Sequence, residues 1–409
     1  MVFKCQEDSF LKEFSTKVIS CIPVSKNISI DGKKTNFNGF EVVLENTIIF
    51  PEGGGQPSDT GYLNEIKVHH VARKEDIAIH YVDKPFNIGE NVEQRIDWDR
   101  REDHMQQHSG QHLISAIFEK NYKLTTVSWW LGEEVSYIEL DTPSVSDELL
   151  IEVENEVNKL IQEARKVEVI VYSKDTPPEV LENAKSTRGL PEDHVGDIRV
   201  ISIENIDNNM CCGTHVSNLS QLQAIKLLNS EKSKRKNKTF VNFLCGRRVL
   251  KRLENCLKRE QKLTQSLKSN PAQHPELVEK LLNNVKNYSK NLSTVLKDLA
   301  IYEATKLKNT ELIPKYYSLH RKEAEPDFMN IFIQEYGGTS VLLFLSTGGE
   351  KGIGNIILYG PKEHVEELSP RICTIMDGKG AVKGNKYQAK VNKIENRSKA
   401  EQVISEYFS

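Results

Sequence analysis

The first ninety or so positions break into short apolar, β-branched runs bounded by turn formers. Phe40-Glu41-Val42-Val43-Leu44 and Thr47-Ile48-Ile49-Phe50 are the clearest, and both read as strands. From Arg100 to about Lys120 the pattern becomes helical. Leu113, Ile114, Ala116 and Ile117 supply the apolar side that packs this helix down. Val127 to Leu140 reads as a strand pair turning at Gly132-Glu133-Glu134. Asp147 to Arg165 reads as an amphipathic helix, with Leu149, Val153, Val157 and Leu160 at helical spacing. Val167 to Tyr172 and Ile198 to Ile203 are strands, and Ser186 to His194 is loop-like.

From Val249 the spacing alternates between three and four. Val249, Leu253, Cys256, Leu263 and Leu267 form one stripe, with Glu260 its polar interruption. Pro271 and Pro275 break the helix. Val278, Leu281, Val285, Tyr288, Leu292, Val295 and Leu299 then resume the stripe. Two heptad helices joined by a proline break fit an antiparallel hairpin or a dimerisation coil equally well. The last hundred residues turn α/β. Val341–Leu345 and Asn355–Tyr359 read as buried strands, followed by a helix around Glu363 to Asp377 and a basic, glycine-rich stretch from Gly378 to Gly384. The expected architecture is α+β, in four parts: a glycine-rich, β-barrel-like domain (1–95), an α+β core (96–247), a helical hairpin (248–306) and an α/β module (307–409).

Composition narrows the class. A chain of 409 residues with 38% hydrophobic and 28% charged content is a globular protein of two or three domains. A net charge of −3 does not advertise nucleic acid, so RNA contacts must come from local patches. No apolar run is long enough to span a bilayer, and the polar start lacks a secretory signal. Seven scattered cysteines argue against a disulfide framework, and a cytoplasmic location is expected.

The candidate chemistry lies in two separated stretches. His108-Ser109-Gly110-Gln111-His112 places two imidazoles one turn apart on one helix face. About a hundred residues later, Cys211-Cys212-Gly213-Thr214-His215 offers sulfur and imidazole over one tight loop. Together they make a zinc-like ligand set. Between the early strands, Gly53-Gly54-Gly55-Gln56 allows backbone angles closed to other residues and a close approach to a ligand. The tryptophans Trp129 and Trp130 are expected to pack in a core rather than stack on a base. Two cation clusters, Lys232, Lys234, Arg235, Lys236 with Lys238, and Lys379, Lys383, Lys386 with Lys390, are solvated faces or RNA contacts.

The pair His-x-x-x-His followed by Cys-x-Gly-Thr-His resembles the editing domain of alanyl-tRNA synthetase and its free-standing AlaX relatives. The resemblance extends more loosely to the C-terminal module of that synthetase. It implies one Zn2+ per chain on His108, His112, Cys211 and His215, with Cys211 rather than Cys212 as the sulfur ligand. His104, a turn before the motif, is then a supporting or exposed residue. The implied activity is hydrolysis of serine from mischarged tRNA(Ala). Ser109 and Thr214 are candidates to recognise the serine hydroxyl, and Gln111 to orient water. Gly53, Gly54, Gly55 and Gln56, with the Lys232–Lys236 loop, are candidates to meet the RNA end. No stretch resembles the class II ATP-binding motifs, so charging is not expected. A homodimer through the hairpin or the C-terminal module is a further expectation. The rival reading is a non-catalytic, zinc-structured adaptor that binds RNA or protein through the hairpin.

Overall fold

The computed structural model describes residues 2–30, 33–173, 175–176 and 197–409; the Ser186–His194 stretch lies outside them. The chain divides into two compact units, Met1–Gln261 and Lys262–Ser409.

After a short helix α1 (Lys4–Glu7), six strands open the first unit: β1 (Glu13–Ile30), β2 (Lys33–Leu44), β3 (Gly61–Leu63), β4 (Ile66–Lys74), β5 (Ile77–Val82) and β6 (Asn91–Ile96). They close into a barrel in the order β1-β2-β5-β4-β3-β6. Alternation explains the closure. In β6, Val92, Gln94 and Ile96 point inward while their neighbours face solvent.

Thr47–Phe50 is not the strand its β-branched sequence predicts. It is a buried bend whose backbone is satisfied by side chains. Gln94 Oε1 accepts from Ile48 N, Asp59 Oδ2 from Phe50 N, and Arg101 donates to Ile48 O. With those partners a ladder is unnecessary, and Ile48, Ile49 and Phe50 fill the barrel instead.

Helix α2 (Trp98–Tyr122) leaves β6 through the cap Asp97, whose side chain accepts from Arg100 N. Near its start Arg101 is fully buried and paired with Asp59. Further along, Leu113, Ile114, Ala116 and Ile117 are buried, as the pattern predicts. They pack on a four-stranded sheet, β12-β13-β8-β7, built from β7 (Thr126–Trp130), β8 (Ser136–Leu140), β12 (Ile225–Lys232) and β13 (Thr239–Cys245). Helix α3 (Asp147–Gln162) covers the same core. Its buried face is Leu150, Val153, Val157 and Ile161; Leu149 and Leu160 stand at its edge. A third sheet, β11-β10-β9, comprises β9 (Val167–Tyr172), β10 (Ile198–Ile203) and β11 (Asp207–Met210).

Helix α4 (Arg247–Leu267) carries the first stripe across the unit boundary. Leu253 and Leu263 are exposed. A one-turn helix at Pro271–Gln273 precedes α5 (His274–Lys308), on which Leu281, Val285 and Leu292 are exposed as well. The second unit ends in a five-stranded sheet with helices, cored by Leu342, Phe344, Ile356 and Leu358. Its glycine-rich stretch is an exposed outer strand, Gly378–Lys383. Among the described residues no helix is long and apolar enough to cross a membrane.

Candidate metal centre

Helix α2 brings His108 and His112 to one face, and the β10–β11 hairpin delivers the Cys211–His215 loop against it. Their ligand atoms all lie within 4.8 Å of one another, and the group is formed by His108, His112, Cys211 and His215. Cys211 Sγ is 3.4 Å from His108 Nε2 and 3.2 Å from His215 Nε2. A tetrahedral zinc with ordinary Zn–S and Zn–N bonds sets sulfur and nitrogen about 3.6 Å apart. The residues therefore fit a single ion of that kind.

The outer nitrogens are held in a way that frees the inner ones. His108 Nδ1 donates to Gln56 Oε1 at 2.9 Å. His215 Nδ1 is hydrogen-bonded to Ser109 Oγ at 3.1 Å, as the donor when Nε2 is a metal ligand. The bond to Gln56 fixes the His108 tautomer that leaves Nε2 as a ligand, and the Ser109 contact suits the same tautomer of His215. Burial, together with Arg199, pushes the His112 pKa down to about 4. Burial and the neighbouring His108, His112 and Arg199 hold His215 well below the ordinary histidine value. Both rings are thus neutral near pH 7, the form a metal requires.

Several holders were invisible in the sequence. Arg199, on β10, is buried and donates Nη1 to Cys211 O and Gly213 O, both at 2.7 Å. Gln6 of α1 donates to Cys212 O at 2.8 Å. Gly213 leaves no room for a side chain: a Cβ there would stand 2.2 Å from His108 Cε1. Only the order Cys-x-Gly-Thr-His pointed to this glycine. Trp129 packs on the His108 ring, with centroids 4.7 Å apart, whereas Trp130 is 46% exposed.

The other candidates divide. Gln56 belongs to the site, because its amide also donates to Thr214 Oγ1 and accepts from Thr214 N. Ser109 accepts from both His215 Nδ1 and Val216 N, which makes it first a holder of the ring. Gln111 donates to Ser115 Oγ, and its buried Oε1 has no hydrogen-bond partner among the described residues. His104 is buried and lies outside the four-residue group, so it is not the exposed residue considered from sequence. Arg235 and Lys238 in the basic loop are paired with Glu139 and Asp141. Lys232, Lys234 and Lys236 are partly or fully exposed.

Comparison with known proteins decides the family. The chain is 47% identical to the alanyl-tRNA editing protein Aarsd1 of Mus musculus, over 100% of this chain and 98% of that protein. The chain belongs to the alanyl-tRNA editing proteins. A putative member of this group from Saccharomyces cerevisiae is 32% identical over 99% of this chain and 96% of its own length. The alanine–tRNA ligase of Pyrococcus abyssi is 30% identical, over 73% of this chain and 32% of that ligase. The family model described as threonyl and alanyl tRNA synthetase second additional domain matches residues 198–242, starting at β10 and including the cysteine loop. The model described as tRNA synthetases class II (A) matches residues 5–100, which hold the barrel. In this member of the alanyl-tRNA editing proteins, one matched stretch holds Cys211 and His215 of the candidate metal group and the other holds Gln56, which bonds His108.

Proposed function

We propose that this chain is a zinc-dependent aminoacyl-tRNA deacylase that releases serine from mischarged tRNA(Ala). The observation that carries the reading is the convergence of His108, His112, Cys211 and His215, with Gln56 and Ser109 bonded to the outer nitrogens of His108 and His215. The names of the similar proteins, alanyl-tRNA editing protein, support the substrate class.

Hydrolysis adds water to the ester carbonyl, breaks the bond to the ribose oxygen, and leaves free serine and a tRNA hydroxyl. A bound zinc ion supplies positive charge that orients the aminoacyl end and favours attack by water. The chain's own residues do the rest. Gln111 Oε1, buried with no hydrogen-bond partner among the described residues, accepts a hydrogen bond that orients the attacking water. Ser109 accepts two hydrogen bonds, so its hydroxyl proton remains to meet the serine hydroxyl. With alanine that group stays unpaired, and an unmet buried partner is a strong basis for rejection. Thr214 positions Gln56 beneath the glycine-rich Gly53–Gly55 wall. Lys232, Lys234, Arg235 and Lys236 are the proposed contacts with RNA phosphates, in a cytoplasmic protein.

Full-length protein is incubated with Ser-tRNA(Ala) and Ala-tRNA(Ala), with and without chelator, beside His108→Ala. Serine release should require the metal, fail in His108→Ala and exceed alanine release. Full activity in a metal-free variant overturns the zinc assignment. Intact metal binding with no release of either amino acid favours the adaptor reading, to which a four-ligand, closed metal site is also suited.

A further inference from the structure

Two cavities abut beside the metal centre, sharing Asp103, Glu133 and Arg248 in their walls. The larger has a volume of about 540 Å³, within the range of small-molecule sites. Gly53, Gly55 and Gln56 form one wall, and Gln56 is the residue whose amide faces His108. Trp130 lies on another wall, 46% exposed. Its neighbour Trp129 is taken up by the His108 ring, so alternation along β7 leaves Trp130 free for a ligand.

His104 also lines this cavity. It is 5% exposed, and its Nδ1 has no hydrogen-bond partner among the described residues. That nitrogen points toward Asp59 Oδ1, 4.0 Å away and likewise without a partner. Burial, with Arg100, Arg248 and Arg101 nearby, keeps the ring neutral. It therefore brings one donor and one acceptor to its surroundings.

Charge separates the two cavities. In the larger, Glu52, Asp99, Asp103 and Glu133 outnumber Arg100 and Arg248, so a phosphate is poorly placed there. The smaller one sets Arg247, Arg248, Lys251 and Arg252, from the first turns of α4, against Asp103, Glu133 and Glu134; Arg247 and Arg248 are ion-paired, which leaves Lys251 and Arg252 as its available cations. Lys251 and Arg252 carry no ion pair among the described residues.

We propose that the larger cavity seats the terminal nucleoside of the tRNA, with Trp130 stacking on the base and His104 as its buried polar contact, while the α4 cations carry the adjoining phosphates. A base offers a π-face to the exposed indole, and an uncharged nucleoside suits an acidic wall. The ester attached to that nucleoside then lies beside Gln56 and the ligand cluster. The assignment rests on the deacylase reading for the identity of the substrate.

Calorimetry on the full-length, metal-loaded protein tests it, with 3′-deoxy-3′-(serylamino)adenosine as a non-hydrolysable probe. Trp130→Ala should weaken probe binding at least about tenfold, the scale of one lost base–aromatic stack, with metal content unchanged. Trp130→Phe should restore most of it, and His104→Gln should weaken it with the fold intact by circular dichroism. Lys251→Glu with Arg252→Glu should weaken whole tRNA but not the probe. Wild-type probe binding by Trp130→Ala overturns the seat even where serine is still released. Probe binding lost in Trp130→Ala, in a protein that releases no serine, leaves the seat standing and removes the reaction instead.

Discussion

Gly213 is the residue with the least latitude in the metal centre. A methyl group there meets the His108 ring at 2.2 Å and Gln56 Oε1 at 2.8 Å. Neither neighbour can retreat without losing the bond between them. Gly213→Ala is expected to lower metal affinity by at least tenfold, read by competition with a chromogenic chelator; unchanged affinity would show that the loop yields. Titration gives a second expectation. Burial lowers His80 in the barrel, and His112 at the metal centre, to about 4 from 6.5. Between those values the unfolded chain binds protons that the folded chain does not. Stability is therefore full above pH 6.5, falls as the pH drops toward 4, and levels off below that. Each histidine contributes up to about 3 kcal/mol to the loss. Urea midpoints of the chelated protein at pH 7.5, 6 and 5 should fall in that order, and a flat series would contradict it.

Among the elements, the ones legible in the sequence are those whose pattern is set by a single face. Strands Val167–Tyr172 and Ile198–Ile203 lie where the β-branched runs placed them. The two stripe-bearing helices lie to either side of Pro271. The misreadings have a common cause, which is partners distant in sequence. Thr47–Phe50 looked like a strand because nothing local reveals that Gln94, Asp59 and Arg101 satisfy its backbone. On helix α3, Val153 and Val157 are buried as the spacing predicts, while Leu150 and Ile161 rather than Leu149 and Leu160 complete the face, because these adjacent apolar residues are separated only by packing. The four residues of the candidate metal group could be picked out because the spacings i, i+4 on a helix and over a loop are short-range. Arg199 and Gln6 could not, since each acts on the loop through backbone carbonyls that carry no sequence signature. The stripe of α5 is exposed, and the expected homodimer through it is open to test. Replacing Leu281, Val285 and Leu292 by lysine should then convert a concentration-dependent dimer to a monomer in sedimentation equilibrium. A wild-type protein that is monomeric at the same concentrations removes the stripe from that role.

At the scale of the molecule, the first unit contains every proposed metal ligand and holder, from Gln6 and Gln56 to His215. A fragment of residues 1–268, ending after helix α4, should fold and keep its metal in a stoichiometry of about one. Serine release should persist with a raised KM if the second unit adds RNA contacts. A fragment that binds no metal would show that residues 269–409 are needed to complete the centre.

The amide of Gln56 fastens three stretches of chain at once: the glycine-rich turn of the barrel, the imidazole of His108 and the backbone of Thr214. On the proposed reading, ion and RNA terminus would meet at this one amide. If occupancy by either steadies that amide, it tightens the grip on the other by the same factor. A chain stripped of its ion then forfeits hold on its cargo as well as chemistry, and bound cargo in turn slows the ion's escape.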